Sequence, residues 1–326
     1  MPADQTTYSG QISPDKILKE LSAHWTEMSQ SDTHGDEGGG LLRACSMTLI
    51  CFSDDEEDSQ TLSGMLASLM REHPSRMIVV RLCDGEDELK ARVSSQCWMP
   101  FGHQRQICCE QVEVTASINR LADVASIVAP LAAPDLPRVI VLRSARIVRA
   151  GALRKILALG NKIVVDSSRA GAPGFGEIGG LLDAGHMTGD LAWTRLTPIR
   201  ALLAQLLENR QAASIVIEYA GREASPEARY LQAWLQTSLP KTFVSLRGNP
   251  SLGDCKEAGG AGRPAVLRID KDLAVRLCEG GAEYDTGAMQ HRASMPEGTE
   301  ERLLSEELGI VVHDRVFERA LNHITA

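Results

Sequence analysis

Apolar residues in this chain recur in two rhythms, and the switches between them mark out its elements. Ser46–Phe52 (SMTLICF) is an almost continuous apolar run that predicts a buried strand; Glu56–His73 shifts to helical spacing, and Ser75–Leu82 (SRMIVVRL) returns to a strand. A strand, a helix and a strand in that order predict a parallel pair joined by a crossover helix. Lys90–Met99 and Arg105–Ala116 are rich in β-formers and flank a Pro-Phe-Gly-His-Gln stretch suited to a hairpin loop, so the sheet becomes mixed here. A helix near Ser117–Leu131, a strand over Asp135–Arg143, a helix near Ala150–Leu159 and a strand over Asn161–Ser168 complete one α/β unit.

Arg169–Gly180 is rich in Gly and Pro and reads as a connection. Beyond it Leu191, Trp193, Leu196, Ile199, Leu202, Leu203, Leu206 and Leu207 recur at helical spacing, which predicts a helix over Asp190–Asn209 that Pro198 either kinks or begins. A second α/β run follows: strand Ser214–Tyr219, helix Pro226–Leu239 with Ser225 as N-cap, and strand Thr242–Leu246. Gly248–Arg263 reads as a polar loop, Ala265–Ile269 and Leu273–Cys278 as short strands about a turn at Asp270–Asp272, and Pro296–Gly309 and His313–Ile324 as two closing helices. Ahead of all this, Pro14–Met28 carries an apolar stripe of Ile17, Leu18, Leu21 and Trp25, and Ser29–Gly40 lacks any apolar residue. The expected fold class is therefore α/β, with two tandem α/β domains of mixed sheets at 41–170 and 171–326, preceded by a helix and a Gly-rich linker at 1–40.

Composition narrows the function. The chain has 326 residues, 43% of them hydrophobic, and its 43 acidic against 34 basic residues give a net charge of −9. With no Lys/Arg block to neutralise a row of phosphates, nucleic acid is excluded as a partner. No run of about eighteen apolar residues exists to cross a membrane, the N-terminus lacks the pattern of an export signal, and eight scattered cysteines do not make a disulfide scaffold. A cytoplasmic protein is expected.

Few residues assemble into recognisable chemistry. Gly174, Gly176 and Gly179 satisfy a dinucleotide-binding glycine pattern, but Ser167–Pro173 separates them from the preceding strand, and no second strand ending in an acid follows at the required distance. No phosphate-binding P-loop and no nucleophile elbow occurs. Cys97, His103, Cys108 and Cys109 bunch together, which suits zinc, a reversible disulfide or plain core thiols; their spacing matches no paired zinc motif, and adjacent strand residues face opposite ways. About the hairpin, Cys97 and Cys108 read as cross-strand neighbours and a candidate redox pair.

One segment stands out: Gly189–Gln205 (GDLAWTRLTPIRALLAQ) interleaves Asp190, Trp193, Arg195, Thr197 and Arg200 with a leucine stripe. These residues suit either an ordinary amphipathic helix or an exposed partner anchor, since Trp and Arg dominate interface hot spots.

Five stretches in order, MTLICF, REHPSRMIVV, QICCEQVEV, PDLPRVIVLR and GDLAWTRLTPIRALLAQ, resemble the glucose-6-phosphate dehydrogenase assembly protein (OpcA) family, over most of the chain from about Leu42 onward. The resemblance implies a cytoplasmic α/β protein that is not an enzyme and carries no cofactor, catalytic residue or metal. It implies a partner, glucose-6-phosphate dehydrogenase, whose assembly and allosteric activation in the oxidative pentose phosphate pathway it supports; the redox control of cyanobacterial members is not carried over, since no motif here fixes its cysteines, and redox-sensitive cysteines are expected from the Cys97 and Cys108 pairing alone. The alternative from the residues alone is an α/β enzyme binding a nucleotide or sugar phosphate at the Gly171–Gly180 turn.

Overall fold

The computed structural model describes residues 6–9, 13–31, 41–54, 59–99, 106–133, 135–252, 262–285 and 289–326. His103, Cys255 and most of the Ser29–Gly40 stretch lie outside the described residues. The chain divides into two compact units: Met1–Val165 with His186–Thr188, and Asp166–Gly185 with Gly189–Ala326.

The first unit runs β1 (Thr6–Ser9), α1 (Pro14–Ser31), β2 (Leu41–Arg43), β3 (Met47–Asp54), α2 (Ser59–Glu72), β4 (Ser75–Cys83), β5 (Leu89–Trp98), β6 (Gln106–Ser117), α3 (Leu121–Leu131), β7 (Arg138–Leu142), α4 (Ala145–Val148), α5 (Leu153–Leu157) and β8 (Lys162–Val165). The chain continues through α6 (Phe175–Asp183) into β9 (Met187–Asp190). The sheet order is β1-β5-β6-β4-β3-β7-β8-β9, with β2 also paired to β6.

At its centre β3 runs parallel to both β4 and β7. A strand covered on both faces has no solvent side, which is why β3 is a near-continuous apolar run rather than an alternating one: Leu49, Ile50, Cys51 and Phe52 are all buried. Helix α2 packs with the Leu62, Leu66, Leu69 and Met70 stripe inward. β5 and β6 form the expected antiparallel hairpin, which makes the sheet mixed. Helix α1 docks on α3 and β5 through the buried Ile17 and Leu21, so it belongs to this unit's body. Its Trp25 donates an indole N–H to Glu110 at 2.5 Å, and Arg43 and Arg76 pair with the same buried carboxylate at 2.5 and 2.6 Å.

The second unit takes α6 and adds α7 (Leu191–Thr194), α8 (Thr197–Leu207), β10 (Ser214–Tyr219), α9 (Pro226–Ser238), β11 (Phe243–Gly248), β12 (Pro264–Ile269), β13 (Leu273–Cys278), β14 (Gly281–Asp285), β15 (Gln290–Ser294), α10 (Glu300–Gly309) and α11 (Arg315–Thr325). Its sheet order is β11-β10-β12-β13-β14-β15. β10 and β11 are parallel and joined by α9, whose N-terminus is capped by the Ser225 hydroxyl with Pro226 in the first turn. The remaining pairs are antiparallel, and Asp270 turns the β12–β13 hairpin with φ of 52°.

Three expectations change here. The helix expected over Asp190–Asn209 is two: Asp190 ends β9 and caps α7, and Pro198 lies in the first turn of α8, where its missing N–H costs nothing. The Arg169–Gly180 connection contains the start of α6, because Glu177 folds back onto the Gly174 amide at 2.7 Å and closes the first turn despite the glycines. Strands β14 and β15 extend the sheet beyond the two short strands foreseen.

Candidate functional site

The Gly189–Gln205 segment folds around a buried carboxylate. Asp190 is fully buried and accepts hydrogen bonds from the amides of Ala192 and Ser167 at 2.9 and 3.0 Å and from the Tyr230 hydroxyl at 2.8 Å. Burial pushes its pKa up to about 6 although these bonds favour the charged form, and the Tyr230 hydroxyl is pushed well above its usual range, chiefly by burial.

Trp193 is 2% exposed and forms an aromatic cluster with Tyr230 and Phe317, ring centroids 5.8 Å apart in each case. The exposed anchor expected at Trp193 is thus an internal one: its ring is too well matched to this cluster to face solvent, and its indole N–H goes to Asp314 at 3.1 Å. Arg195 is likewise committed inward, pairing with Asp166 at 2.9 Å and Glu227 at 2.8 Å. Arg200 stacks its guanidinium over the Trp193 ring, and burial lowers its pKa to about 10.

Three bonds from this segment bracket one loop. Thr194 donates to the buried Glu307 at 2.9 Å and Thr197 to Glu306 at 2.7 Å, both on α10; the Trp193 bond to Asp314 holds the start of α11. A Cβ at Gly189 would stand 2.0 Å from Glu307 Oε1, so a side chain there would displace the buried Glu307 carboxylate from this clamp. Between the anchored ends lie Val311 and Val312, 69% and 68% exposed, with Val316 at 40% beside them. Exposed apolar side chains grouped this way mark a contact surface more often than isolated ones do.

A separate cleft of about 350 Å³ opens beside Arg195, bounded by Leu196 and Ile199, Arg263, the β13–β14 turn and the β15–α10 connection. Glu227 lies at its polar end, accepting from Ser168 at 2.8 Å as well as from Arg195.

Cys97 and Cys108 oppose each other in the β5–β6 register and are joined by a disulfide, with Cα atoms 4.1 Å apart. Cys109 points to the other face and is buried, and its thiol is pushed up to about 11 by that burial. Among the described residues no group of three or more His, Cys, Asp or Glu is placed to hold a metal. At the glycine pattern, the Gly174 amide that a phosphate would need is engaged by Glu177.

The chain matches the glucose-6-phosphate dehydrogenase subunit N-terminal domain of the OpcA type over residues 67–176 and the corresponding C-terminal domain over residues 186–321. The chain belongs to the OpcA family. Among curated relatives it is similar to the putative OxPP cycle protein OpcA of Synechocystis, 24% identical over 66% of this chain and 46% of that protein, and to that of Nostoc punctiforme, 26% identical over 53% of this chain and 39% of that protein. The chain therefore spans less than half the length of these OpcA proteins. Among solved structures it is similar to biliverdin reductase of Synechocystis (8% identity, TM-score 0.47, covering 85% of this chain and 96% of that one). It is also similar to the UDP-N-acetylglucosamine 3-dehydrogenase GnnA of Acidithiobacillus ferrooxidans (9% identity, TM-score 0.45, covering 87% and 96%).

In this OpcA-family chain the structure brings Trp193, Thr197 and Arg200 together beside α10 and the start of α11, ties Asp190 to Tyr230 of α9, and sends Arg195 to the cleft instead. Sequence reasoning missed Tyr230, Glu307 and Asp314, which complete the first group, and Asp166 and Glu227, which hold Arg195. The one signal available was the oddity of acids at Glu227 and Glu307 on the apolar stripes of their helices, where a buried carboxylate implies a partner. The valines announce themselves as an apolar run, Ile310–Val312, placed between helices.

Proposed function

We propose that this chain is a non-catalytic partner that binds glucose-6-phosphate dehydrogenase and favours its assembled, active form in the cytoplasm. What carries this reading is the match to both halves of the OpcA-type dehydrogenase subunit, over residues 67–176 and 186–321. The disposition of polar groups supports it: the Asp190, Trp193 and Arg195 side chains of the Gly189–Gln205 segment are spent on internal bonds, as a scaffold would spend them, and Glu227 likewise has protein partners already.

The contact surface in this reading is the Val311–Val312 loop with Val316, and the Trp193, Thr194 and Thr197 bonds serve it from beneath by fixing both of its ends. A preorganised loop loses less freedom on docking, so more of its apolar burial appears as affinity. A partner can activate only by binding the competent state of the dehydrogenase more tightly than the other.

Size-exclusion chromatography of the chain mixed with the dehydrogenase from the same organism tests this. Co-elution is expected, weakened at least tenfold by Val311→Asp with Val312→Asp at an unchanged melting temperature; separate elution of the two proteins contradicts the reading.

A further inference from the structure

We propose that the cleft beside Arg195 binds a small aliphatic primary ammonium ion, with Glu227 accepting from its N–H groups, at a site separate from the valine surface and independent of the dehydrogenase reading. Glu227 is 2% exposed yet belongs to the cleft's lining, and its two oxygens are used unequally. Oε1 accepts from the Ser168 hydroxyl and from Arg195, each at 2.8 Å, with Arg263 Nε 3.4 Å away. Oε2 is buried and has no hydrogen-bond partner among the described residues. A buried carboxylate oxygen without a donor is costly, so the group this end of the cleft calls for is a donor and not a further acceptor.

The surrounding charges select which donor. Arg195 is matched by Asp166 at 2.9 Å as well as by Glu227, and Arg263 pairs with Glu227. Glu279 and Glu297 add two more carboxylates to the lining. Two guanidiniums thus stand among four carboxylates, Asp166, Glu227, Glu279 and Glu297, and that surplus favours a cation over a neutral donor. The rest of the lining sets the body of the occupant. Leu196, Ile199, Leu277 and Met295 come from separate elements and offer apolar contact to a short alkyl chain. The Met295 amide donates to the Gly280 carbonyl at 2.8 Å, which ties the β15–α10 connection to the β13–β14 turn. The cleft's volume of about 350 Å³ lies at the small end of the range for small-molecule sites.

The test uses the full chain labelled with ¹³C at Ile, Leu and Met methyl groups and titrated at neutral pH with isopentylamine, against isopentyl alcohol, which has the same shape and no charge. The amine should shift the Ile199, Leu277 and Met295 methyls and bind about tenfold more tightly than the alcohol, because its ammonium adds charge to the hydrogen bond. Glu227→Gln keeps an oxygen for Ser168 and Arg195 but puts an amide nitrogen, itself a donor, where Oε2 stood, so the preference for the amine should vanish. Glu279→Gln with Glu297→Gln, both at exposed positions, should reduce that preference about threefold by Coulombic attraction lost, and gives a second reading that does not depend on a buried substitution. No shift at millimolar amine, equal affinity for amine and alcohol, a preference that survives in folded Glu227→Gln, or one undiminished in the double variant would each overturn the proposal.

Discussion

The Arg200 guanidinium lies 3.7 Å from the centroid of the Trp193 ring, and through that ring it backs the bond from Trp193 to Asp314. Its Nη2 reaches Thr197 Oγ1 at 3.1 Å, while its Nε is buried with no hydrogen-bond partner among the described residues. The pair is thus a packing arrangement in which Arg200 covers the indole and the indole fastens the start of α11.

Trp193→Ala should therefore remove a core side chain from between Tyr230 and Phe317, and we expect it to cost about 3 to 5 kcal/mol in urea unfolding. Arg200→Ala should cost less, about 1 to 2 kcal/mol, since it removes a cation–π contact and also relieves a poorly solvated charge. A Trp193→Ala variant as stable as the parent would mean that this cluster is not formed.

Asp190 predicts a particular pH dependence. Its folded-state pKa of about 6 lies above the ordinary carboxylate value, so the folded chain holds a proton that the unfolded chain has released. That contribution is fully present below about pH 4 and is lost as pH rises through about 6, by roughly 3 kcal/mol. Asp190→Asn keeps an acceptor for Ala192 and cannot titrate, so its stability relative to the parent should rise between pH 4 and 6 and level off above. A difference between the two proteins that stays flat over this window would refute the assignment.

Arg195→Ala should be far more damaging than a surface charge deletion, because it strips Asp166 of its ion pair and leaves the buried Glu227 with only the longer ion pair to Arg263: about 3 to 5 kcal/mol. Arg210→Ala, which breaks an exposed pair with Asp272 and Asp270, should stay within about 1 kcal/mol. Parallel chemical denaturation of the two variants decides between a buried network and an incidental one.

Oxidised protein digested without reductant should yield a single peptide pair joining Cys97 to Cys108, with Cys109 recovered as a thiol. Reduction should lower stability by about 2 to 3 kcal/mol, the worth of closing so short a loop, while leaving the circular dichroism of the sheet intact. Recovery of Cys97 bound to any other cysteine would break the β5–β6 register on which this rests.

Where local physics decides an element, the sequence was sufficient. The β3 run, the Ser225 cap with Pro226 behind it, and the alternation that pairs β5 with β6 are each written in a few adjacent residues. Strand β15 was invisible because Gln290–Ser294 is a polar, partly exposed edge whose pairing comes from its neighbour β14. The glycines of α6 read as a turn because the Glu177 bond that closes the helix outweighs their poor helix propensity only locally. The site was legible as a segment and not as an arrangement: Trp193 and Arg195 have the composition of an interface anchor, and only their distant partners Asp314, Asp166 and Glu227 reveal them as internal.

Dehydrogenase turnover tests the proposed activation most directly. The rate of the dehydrogenase from the same organism, measured at limiting glucose-6-phosphate while this chain is titrated from none to excess, should rise to a plateau. With Val311→Asp and Val312→Asp together, the same plateau should require at least tenfold more protein. A rate that stays unchanged at saturating chain, with both proteins folded, would contradict the account.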